Sequence, residues 1–152
     1  MHRRHFLYAV LFLPAACVSA PKPQIAPRAI EQAAPTTLDH HIAQYASFYD
    51  VPESLVHRVV KRESTYNPKA RNGPYYGLMQ ILPATARTMG FQGAPNDLLD
   101  AETNLKYGVK YLRGAWLLSN GSHDQAVKWY SRGYYYEAKK RGMLVETGLR
   151  PG

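Results

Sequence analysis

Two short stretches of the sequence decide what kind of domain this chain forms. Residues 63–70 read ESTYNPKA and residues 77–81 read GLMQI. The first stretch closes a helical pattern with an acid, because Val56, Val60 and Glu63 recur at spacings that place them on one helix face. The second follows a segment rich in Gly and Pro, which is typical of a loop of constrained shape. The pattern predicts an acid-bearing helix that ends in a shaped loop.

Glu63 is the candidate catalytic residue. Its apolar helix face predicts partial burial, and its place in the last turn exposes it to the negative end of the helix dipole. Both effects raise the pKa of a carboxyl group, as a general acid at neutral pH requires. The alternative is a solvated residue in the run Lys61-Arg62-Glu63. However, no cation stands four residues before or after Glu63, since Val59 and Asn67 occupy those positions.

Length and composition narrow the class of protein. The 152 residues are 45% hydrophobic and 20% charged, which favours one globular domain and excludes a wholly disordered chain. No apolar run reaches the roughly 18 residues that a membrane span needs. Nineteen Lys and Arg against eleven Asp and Glu give a net charge of +8, so we expect an anionic partner such as nucleic acid, anionic lipid or an acidic polymer.

The first twenty residues have the pattern of an export signal. Arg3 and Arg4 precede an apolar run that ends in small residues at Ala20. The paired arginines also resemble the twin-arginine signal. Cys17 stands where a bacterial lipoprotein is cleaved and lipidated, so lipidation at Cys17 and cleavage near Ala20 remain alternatives. We expect an exported protein of the periplasm or cell envelope, either soluble or anchored to the membrane through Cys17.

The remaining chain divides into a Pro-rich tether, residues 21–37, and one domain, residues 38–152. We predict a mainly α domain of about six short helices around a Gly/Pro-rich loop, with little or no sheet. Capping patterns at Thr36 with Asp39 and at Asp50 with Glu53 start the first two helices. The other predicted helices cover residues 84–89, a long segment from Asp100 to Asn120, a segment from Ser122 to Tyr130, and residues 134–141.

The ordered blocks resemble the soluble lytic transglycosylase (SLT) domain of the lysozyme-like superfamily over residues 51–142. The resemblance implies an α+β lysozyme-like fold and cleavage of the β-1,4 bond between N-acetylmuramic acid and N-acetylglucosamine in peptidoglycan. It implies a 1,6-anhydromuramic product, with one Glu acting first as acid and then as base. The blocks are residues 63–70, residues 77–81 with Pro83, Thr85 and Ala86, and then Asn104, Gly108, Tyr111 and Leu112.

Matching positions suggest which residues bind substrate. Tyr130 matches the Tyr of the family's Ala-Tyr-Asn-Ala-Gly block, whose hydroxyl is expected near the catalytic Glu. In this chain Ser131 replaces the Asn of that block, and Arg132 replaces its second small residue. The substrate-binding candidates are Ser64, Met79, Gln80, Tyr130, Tyr76 and Asn104, although Met79 also suits packing and Ser64 a solvated helix end. The side chains that could stack on sugar rings are Tyr75, Tyr76, Trp129 and Tyr134 to Tyr136. Three consecutive tyrosines cannot all face inward on a helix, so at least one of Tyr134 to Tyr136 must be exposed.

Other chemistries find little support in the sequence. Two interpretations remain open for Asp97, Asp100 and Glu102. They are either helix caps and first-turn charges, or one of them is brought near Glu63 by the fold as a second catalytic acid. The His and Cys spacings match no metal motif, so we expect no metal and no cofactor. Alternative functions on the same fold are a non-catalytic glycan-binding or assembly factor and a lysozyme-type hydrolase.

The expected partners follow from charge and export together. Loss of Arg3 and Arg4 with the leader lowers the charge from +8 to +6. This charge suits a wall polymer that carries lactyl and peptide carboxylates, and export contradicts binding to nucleic acid. We expect a monomer that binds peptidoglycan glycan strands.

Overall fold

The structure, a computed structural model, describes residues 36–151, so the leader, Cys17 and most of the tether lie outside the described residues. The described part is mainly helical with one small sheet, as the sequence predicts. None of its helices is long and apolar enough to cross a bilayer. The elements are α1 (Thr37–Phe48), α2 (Glu53–Ser64), β1 (Arg71–Asn72), β2 (Tyr75–Tyr76), α3 (Pro83–Thr88), a 3-10 helix (Pro95–Leu99), α4 (Ala101–Leu117), α5 (His123–Arg132) and α6 (Tyr135–Lys140).

Side-chain caps start several of these helices. At α1 the Thr36 hydroxyl accepts from the Asp39 N–H at 3.1 Å, and the Asp39 carboxylate accepts from the Thr36 N–H at 3.0 Å. Asp100 caps α4 through its side chain, and Ser122 caps α5. These local bonds satisfy N–H groups that have no partner within the helix. The predicted caps of α1, α4 and α5 are therefore confirmed.

The start of α2 differs from the prediction. Its N-cap is Pro52, which makes no side-chain cap, and Asp50 lies in the preceding turn with a φ of 52°. The Asp50 carboxylate instead contacts the Arg113 guanidinium of α4 at 3.3 Å. A tertiary ion pair has replaced the local capping box, so the predicted role of Asp50 as a cap is wrong.

The core forms around α4. This helix packs against α1, α3, α5 and the 3-10 helix, and Leu105, Val109 and Leu112 on its inner face are fully buried. The apolar face of α2, which includes Val56 and Val60, joins the same cluster. Each such side chain contributes about 1.5 to 3 kcal/mol through burial. This core fixes the C-terminal end of α2, where Glu63 lies.

The chain turns sharply after α2. Thr65 and Tyr66 both have left-handed backbone conformations, with φ of 51° and 62°, which L residues adopt at a cost. The strands β1 and β2 then pair antiparallel, with Arg71 opposite Tyr76, and form a short hairpin. The segment predicted as a shaped loop thus contains a small sheet.

Candidate active site

Glu63 lies at the wall of a surface depression. Its side chain is 23% exposed, at the end of a helix face whose other members are buried. The depression has a volume of about 220 Å³, and its floor and walls include Tyr75, Gln80, Tyr130 and Ser131. The helical spacing predicts this partial burial, because the acid continues the face that α2 presents to the core.

Two opposing effects act on the pKa of Glu63. Burial raises the pKa and is the larger effect, whereas the nearby Arg62 guanidinium lowers it. The Arg62 Nε atom lies 3.7 Å from the Glu63 Oε1 atom. This contact does not follow the four-residue spacing of helical ion pairs, because Arg62 is the residue next to Glu63. The net pKa remains above the ordinary value, which favours the protonated form that a general acid requires.

Asn104 organises the loop that faces Glu63. Its Oδ1 accepts from the Met79 N–H at 2.8 Å, and its Nδ2 donates to the carbonyl oxygens of Tyr76 at 2.9 Å and Leu98 at 2.7 Å. The side chain is fully buried and does not reach the depression. The prediction that Asn104 binds substrate is therefore corrected, because its amide groups are used to hold the loop.

Met79 and Tyr76 also belong to the scaffold. Met79 is fully buried and packs beside Gly108, where an added Cβ would collide with the Met79 sulfur atom. Tyr76 is buried, and the Arg71 guanidinium lies 4.5 Å above its ring. Their predicted contact with substrate is corrected on the same ground of burial. The neighbouring Tyr75, which is 41% exposed, lines the depression.

Gln80 also lines the depression. It has a left-handed backbone with a φ of 46°. Its Nε2 donates to the carbonyl oxygens of Gly77 at 2.9 Å and Ala70 at 3.1 Å. Within residues 36–151 these bonds occupy the amide nitrogen and leave Oε1 as the open acceptor.

Tyr130 connects α5 to the loop. Its hydroxyl donates to the Met79 carbonyl oxygen at 2.8 Å, and its ring lines the same depression as Glu63. Burial raises the pKa of the Tyr130 phenol well above its ordinary value, and the Glu63 charge acts in the same direction. The structure thus places Tyr130 beside Glu63, where the resemblance expects it.

Ser64 lies apart from this group. Its hydroxyl donates to the Val60 carbonyl oxygen of its own helix at 3.1 Å, and it does not line the depression. Such a bond within the helix is common for serine. Ser64 is therefore positioned to shape the end of α2 and does not face the cleft.

The other acidic candidates have structural partners, which are local for Asp97 and Asp100 and tertiary for Glu102. Asp97 accepts from the Ala94 N–H at 2.9 Å, Asp100 accepts from the Thr103 N–H at 2.8 Å, and Glu102 accepts from the Tyr45 hydroxyl at 3.1 Å. None of the three lines the depression at Glu63. Within the described residues no group of three or more His, Cys, Asp and Glu side chains is arranged for a metal ion.

Comparisons with known proteins agree with this geometry. The transglycosylase SLT domain family matches residues 40–142. The soluble lytic murein transglycosylase of Escherichia coli K12 is 33% identical over 91 residues, which cover 55% of this chain and 14% of the relative. The membrane-bound lytic murein transglycosylase F of Shewanella woodyi is 35% identical over 97 residues, covering 59% of this chain and 19% of the relative.

Solved structures show the same fold. The 70-kDa soluble lytic transglycosylase of Escherichia coli superposes with a TM-score of 0.59 at 27% identity, over 72% of this chain and 18% of that chain. A complex of the 70-kDa soluble lytic transglycosylase with bulgecin A gives a TM-score of 0.60 at 25% identity, over 77% of this chain and 22% of that one. This chain thus spans less than a quarter of each of these proteins. The family match covers most of its length, and the chain belongs to the transglycosylase SLT domain family.

Proposed function

We propose that this chain is a lytic transglycosylase that cleaves the β-1,4 bond between N-acetylmuramic acid and N-acetylglucosamine in peptidoglycan, with Glu63 as its single catalytic carboxyl group. The observation that carries the proposal is the half-buried Glu63 carboxyl group, whose pKa is raised, in a depression shared with Tyr75, Gln80 and Tyr130. Family membership and the names of the relatives support the reaction class.

The first step is protonation of the leaving group. The Glu63 carboxyl group donates its proton to the glycosidic oxygen, and the bond between that oxygen and C1 of the muramic sugar breaks. Both bonding electrons stay with the oxygen, which leaves as the 4-hydroxyl of N-acetylglucosamine. The carbonyl oxygen of the substrate's own N-acetyl group bonds to C1, so no second carboxylate is needed. The capping roles of Asp97 and Asp100 agree with this step.

The second step returns the proton. Glu63, now a carboxylate, accepts the proton of the muramic 6-hydroxyl while that oxygen attacks C1 and displaces the N-acetyl oxygen. The product carries a 1,6-anhydro ring, and Glu63 is again protonated. No water is consumed. One residue with a raised pKa suits both steps, because such a group gives up and recovers a proton readily near neutral pH.

Neighbouring groups provide contacts for the sugars. The open Oε1 of Gln80 accepts from a sugar hydroxyl or acetamido N–H group. The exposed face of Tyr75 offers an apolar plane for a pyranose ring. Ser131 replaces the family's Asn; its hydroxyl donates to the Val127 carbonyl oxygen at 2.8 Å and remains an acceptor toward the depression.

We place this activity outside the cytoplasm, in the periplasm or at the cell envelope. The export pattern of residues 1–20 supports this location, as do relatives named as membrane-bound transglycosylases. Mass analysis of the mature N-terminus tests the two processing routes. A lipid-modified Cys17 at the N-terminus indicates anchoring, whereas an unmodified N-terminus at Pro21 indicates cleavage after Ala20 and a free protein.

The deciding experiment uses intact cell-wall sacculi. The purified chain is incubated with sacculi, and the released fragments are identified by mass spectrometry. We expect fragments that end in 1,6-anhydromuramic acid. Reducing ends would instead indicate a lysozyme-type hydrolase, and the absence of release together with binding to sacculi would indicate a glycan-binding factor.

A matched pair of variants tests the role of Glu63. Glu63→Gln keeps the shape of the side chain but cannot donate a proton, so we expect release to stop. Glu53→Gln makes the same change on the same helix, about 15 Å away along its axis, and should retain activity. Release by Glu63→Gln at the wild-type rate would remove Glu63 from the mechanism.

A further inference from the structure

A second binding surface continues from the depression at Glu63. A neighbouring depression shares Tyr75, Gln80, Tyr130 and Ser131 with it and extends to Arg132. A third depression of about 430 Å³ shares Arg132 and Gly133 with the second. Because each depression shares lining residues with the next, the three adjoin one another from Glu63 past the end of α5 to α6, and together they are called the groove below.

The far end of this groove carries uncompensated positive charge. Arg132 and Lys140 line it, and neither forms an ion pair with an acid among residues 36–151. The one acid in its lining, Glu137, is paired with Arg141 at 2.7 Å. Two cations without acidic partners beside a groove attract an anionic ligand.

The same end of the groove is rich in aromatic side chains. The Arg132 guanidinium stacks 4.1 Å above the Trp129 ring, which holds the cation at the groove. Tyr135 and Tyr136 are 48% and 84% exposed, with their rings edge to face at 5.4 Å. Exposed aromatic planes next to fixed cations suit a ligand with both apolar groups and carboxylates.

We propose that this surface, formed by Trp129, Arg132, Tyr135, Tyr136 and Lys140, binds the acidic peptide attached to the glycan strand. The proposal rests on the proposed function, because it takes the sugars of the same polymer to lie in the depression at Glu63. The sugar hydroxyls carry no charge, and removal of the peptide leaves only the lactyl carboxylate on the muramic sugar. The peptide adds further carboxylates that can pair with both Arg132 and Lys140, and its apolar side chains can contact the tyrosines. The chain consequently prefers glycan that carries peptide over glycan without it.

Binding measurements on the full chain test the proposal independently of cleavage. Glu63→Gln serves as the background, so that fragments stay intact. The probes are a glycan fragment with its peptide, the same fragment after enzymatic removal of the peptide, and the peptide-bearing fragment with amidated carboxylates. We expect Kd to be about three- to tenfold lower for the acidic peptide-bearing fragment than for the other two, the range of one or two exposed charge-assisted contacts.

Charge variants locate the site. Arg132→Glu and Lys140→Ala should each remove most of the preference for the acidic fragment. Lys139→Ala also removes one positive charge from α6, but Lys139 does not line the groove, so this variant should keep the preference for the acidic fragment. Equal affinity of the background chain for all three probes, or equal losses in Lys140→Ala and Lys139→Ala, would overturn the proposal.

Cleavage assays separate this proposal from the proposed function. The ratio of kcat/KM for peptide-bearing to peptide-free strands should exceed one for the wild-type chain and fall toward one in Arg132→Glu. A wild-type chain that yields no anhydro product on either strand contradicts the proposed function alone, and the binding preference still decides the peptide site. A ratio of one in an active wild-type chain contradicts the peptide site alone.

Discussion

The Tyr130 hydroxyl donates a 2.8 Å hydrogen bond to the carbonyl oxygen of Met79, and this bond joins α5 to the loop that carries Gln80. The two residues are 51 positions apart in the sequence. The ring of Tyr130 lines the depression, while its hydroxyl is directed at the loop backbone. The bond therefore couples the position of the loop to the wall beside Glu63.

Tyr130→Phe removes this bond and leaves a buried carbonyl oxygen without its partner. We expect a loss of about 1 to 2 kcal/mol in the free energy of unfolding and about a tenfold loss in kcat, because the loop that carries Gln80 becomes less precisely placed. Urea unfolding and the rate of release from sacculi measure the two effects.

The control for Tyr130→Phe is Tyr134→Phe. The Tyr134 hydroxyl donates to the Tyr111 carbonyl oxygen at 2.8 Å, away from the depression at Glu63. Tyr134→Phe should lower the free energy of unfolding by a similar amount but reduce kcat less than Tyr130→Phe does. Equal kcat losses in the two variants would show that Tyr130 has no role beyond general stability.

Arg62→Gln tests the electrostatics of the acid. Arg62 lowers the pKa of Glu63 against the larger effect of burial, so its removal should raise that pKa further. Because the proposed mechanism uses the protonated form of Glu63, we expect kcat/KM to fall as pH rises through this pKa. The alkaline limb of the pH profile should therefore move to higher pH in Arg62→Gln.

Lys61→Gln is the matched control for this shift. It removes the same charge from a nearby position of α2, and Lys61 makes no ion pair with Glu63 among the described residues. Its alkaline limb should stay near that of the wild-type chain. A common shift in both variants would assign the effect to net charge and not to the Arg62 contact.

The pH dependence of stability provides a further test of Glu63. Its pKa is higher in the folded chain than in the unfolded chain, so the folded state binds this proton more tightly. The contribution of Glu63 to stability is therefore largest at low pH and is lost as pH rises through the folded-state pKa. Glu63→Gln should gain stability relative to the wild-type chain over that rise in pH, as thermal unfolding would measure. A constant difference across the range would contradict the burial effect.

Asn104→Asp tests the support of the loop. The new carboxylate keeps the acceptor for the Met79 N–H but faces the carbonyl oxygens of Tyr76 and Leu98 without a proton to donate. We expect a loss of about 3 kcal/mol or more. The exposed Asn96→Asp makes the same change in the 3-10 helix and should shift stability by no more than about 0.5 kcal/mol. Similar small losses in both would contradict the role of Asn104.

Gly108→Ala tests the packing of α4 beneath the loop. An added Cβ would lie 2.5 Å from the Met79 sulfur atom, which is a collision. We expect a destabilisation of about 1 to 3 kcal/mol. In the double variant with Met79→Ala the sulfur atom is absent and only the 3.0 Å approach to the Cβ of residue 79 remains, so the two losses should sum to more than the measured loss. Strict additivity would exclude this contact as the cause.

The acid could be predicted from sequence because its position depends on local periodicity. Val56, Val60 and Glu63 share one face of a helix, and the core buries that face wherever the helix packs. The caps at Thr36 and Asp100 were predictable for the same reason, since their partners lie three residues away. Such features require only the geometry of one helix.

The scaffold beneath the loop depends on contacts that sequence spacing does not reveal. The hydrogen bond from the Met79 N–H to Asn104 joins positions 25 residues apart. The Asp50 carboxylate forms an ion pair with Arg113, which is also distant in the sequence. A match to a sequence block also gives no side-chain direction. Tyr76 and Tyr75 are adjacent, yet one supports the hairpin and the other faces the depression.

The left-handed residues Thr65 and Tyr66 follow directly after the helical turn that carries Glu63. Their conformation is unfavourable for L residues. The free energy needed to open the final turn of α2 should therefore be smaller than in a helix that ends at glycine. The amides of this turn should therefore exchange with deuterium through local opening before the interior of α2 opens. We therefore expect Glu63 to lie on a part of α2 that opens before the core does, so that the acid could change position in the cleft while the core stays intact.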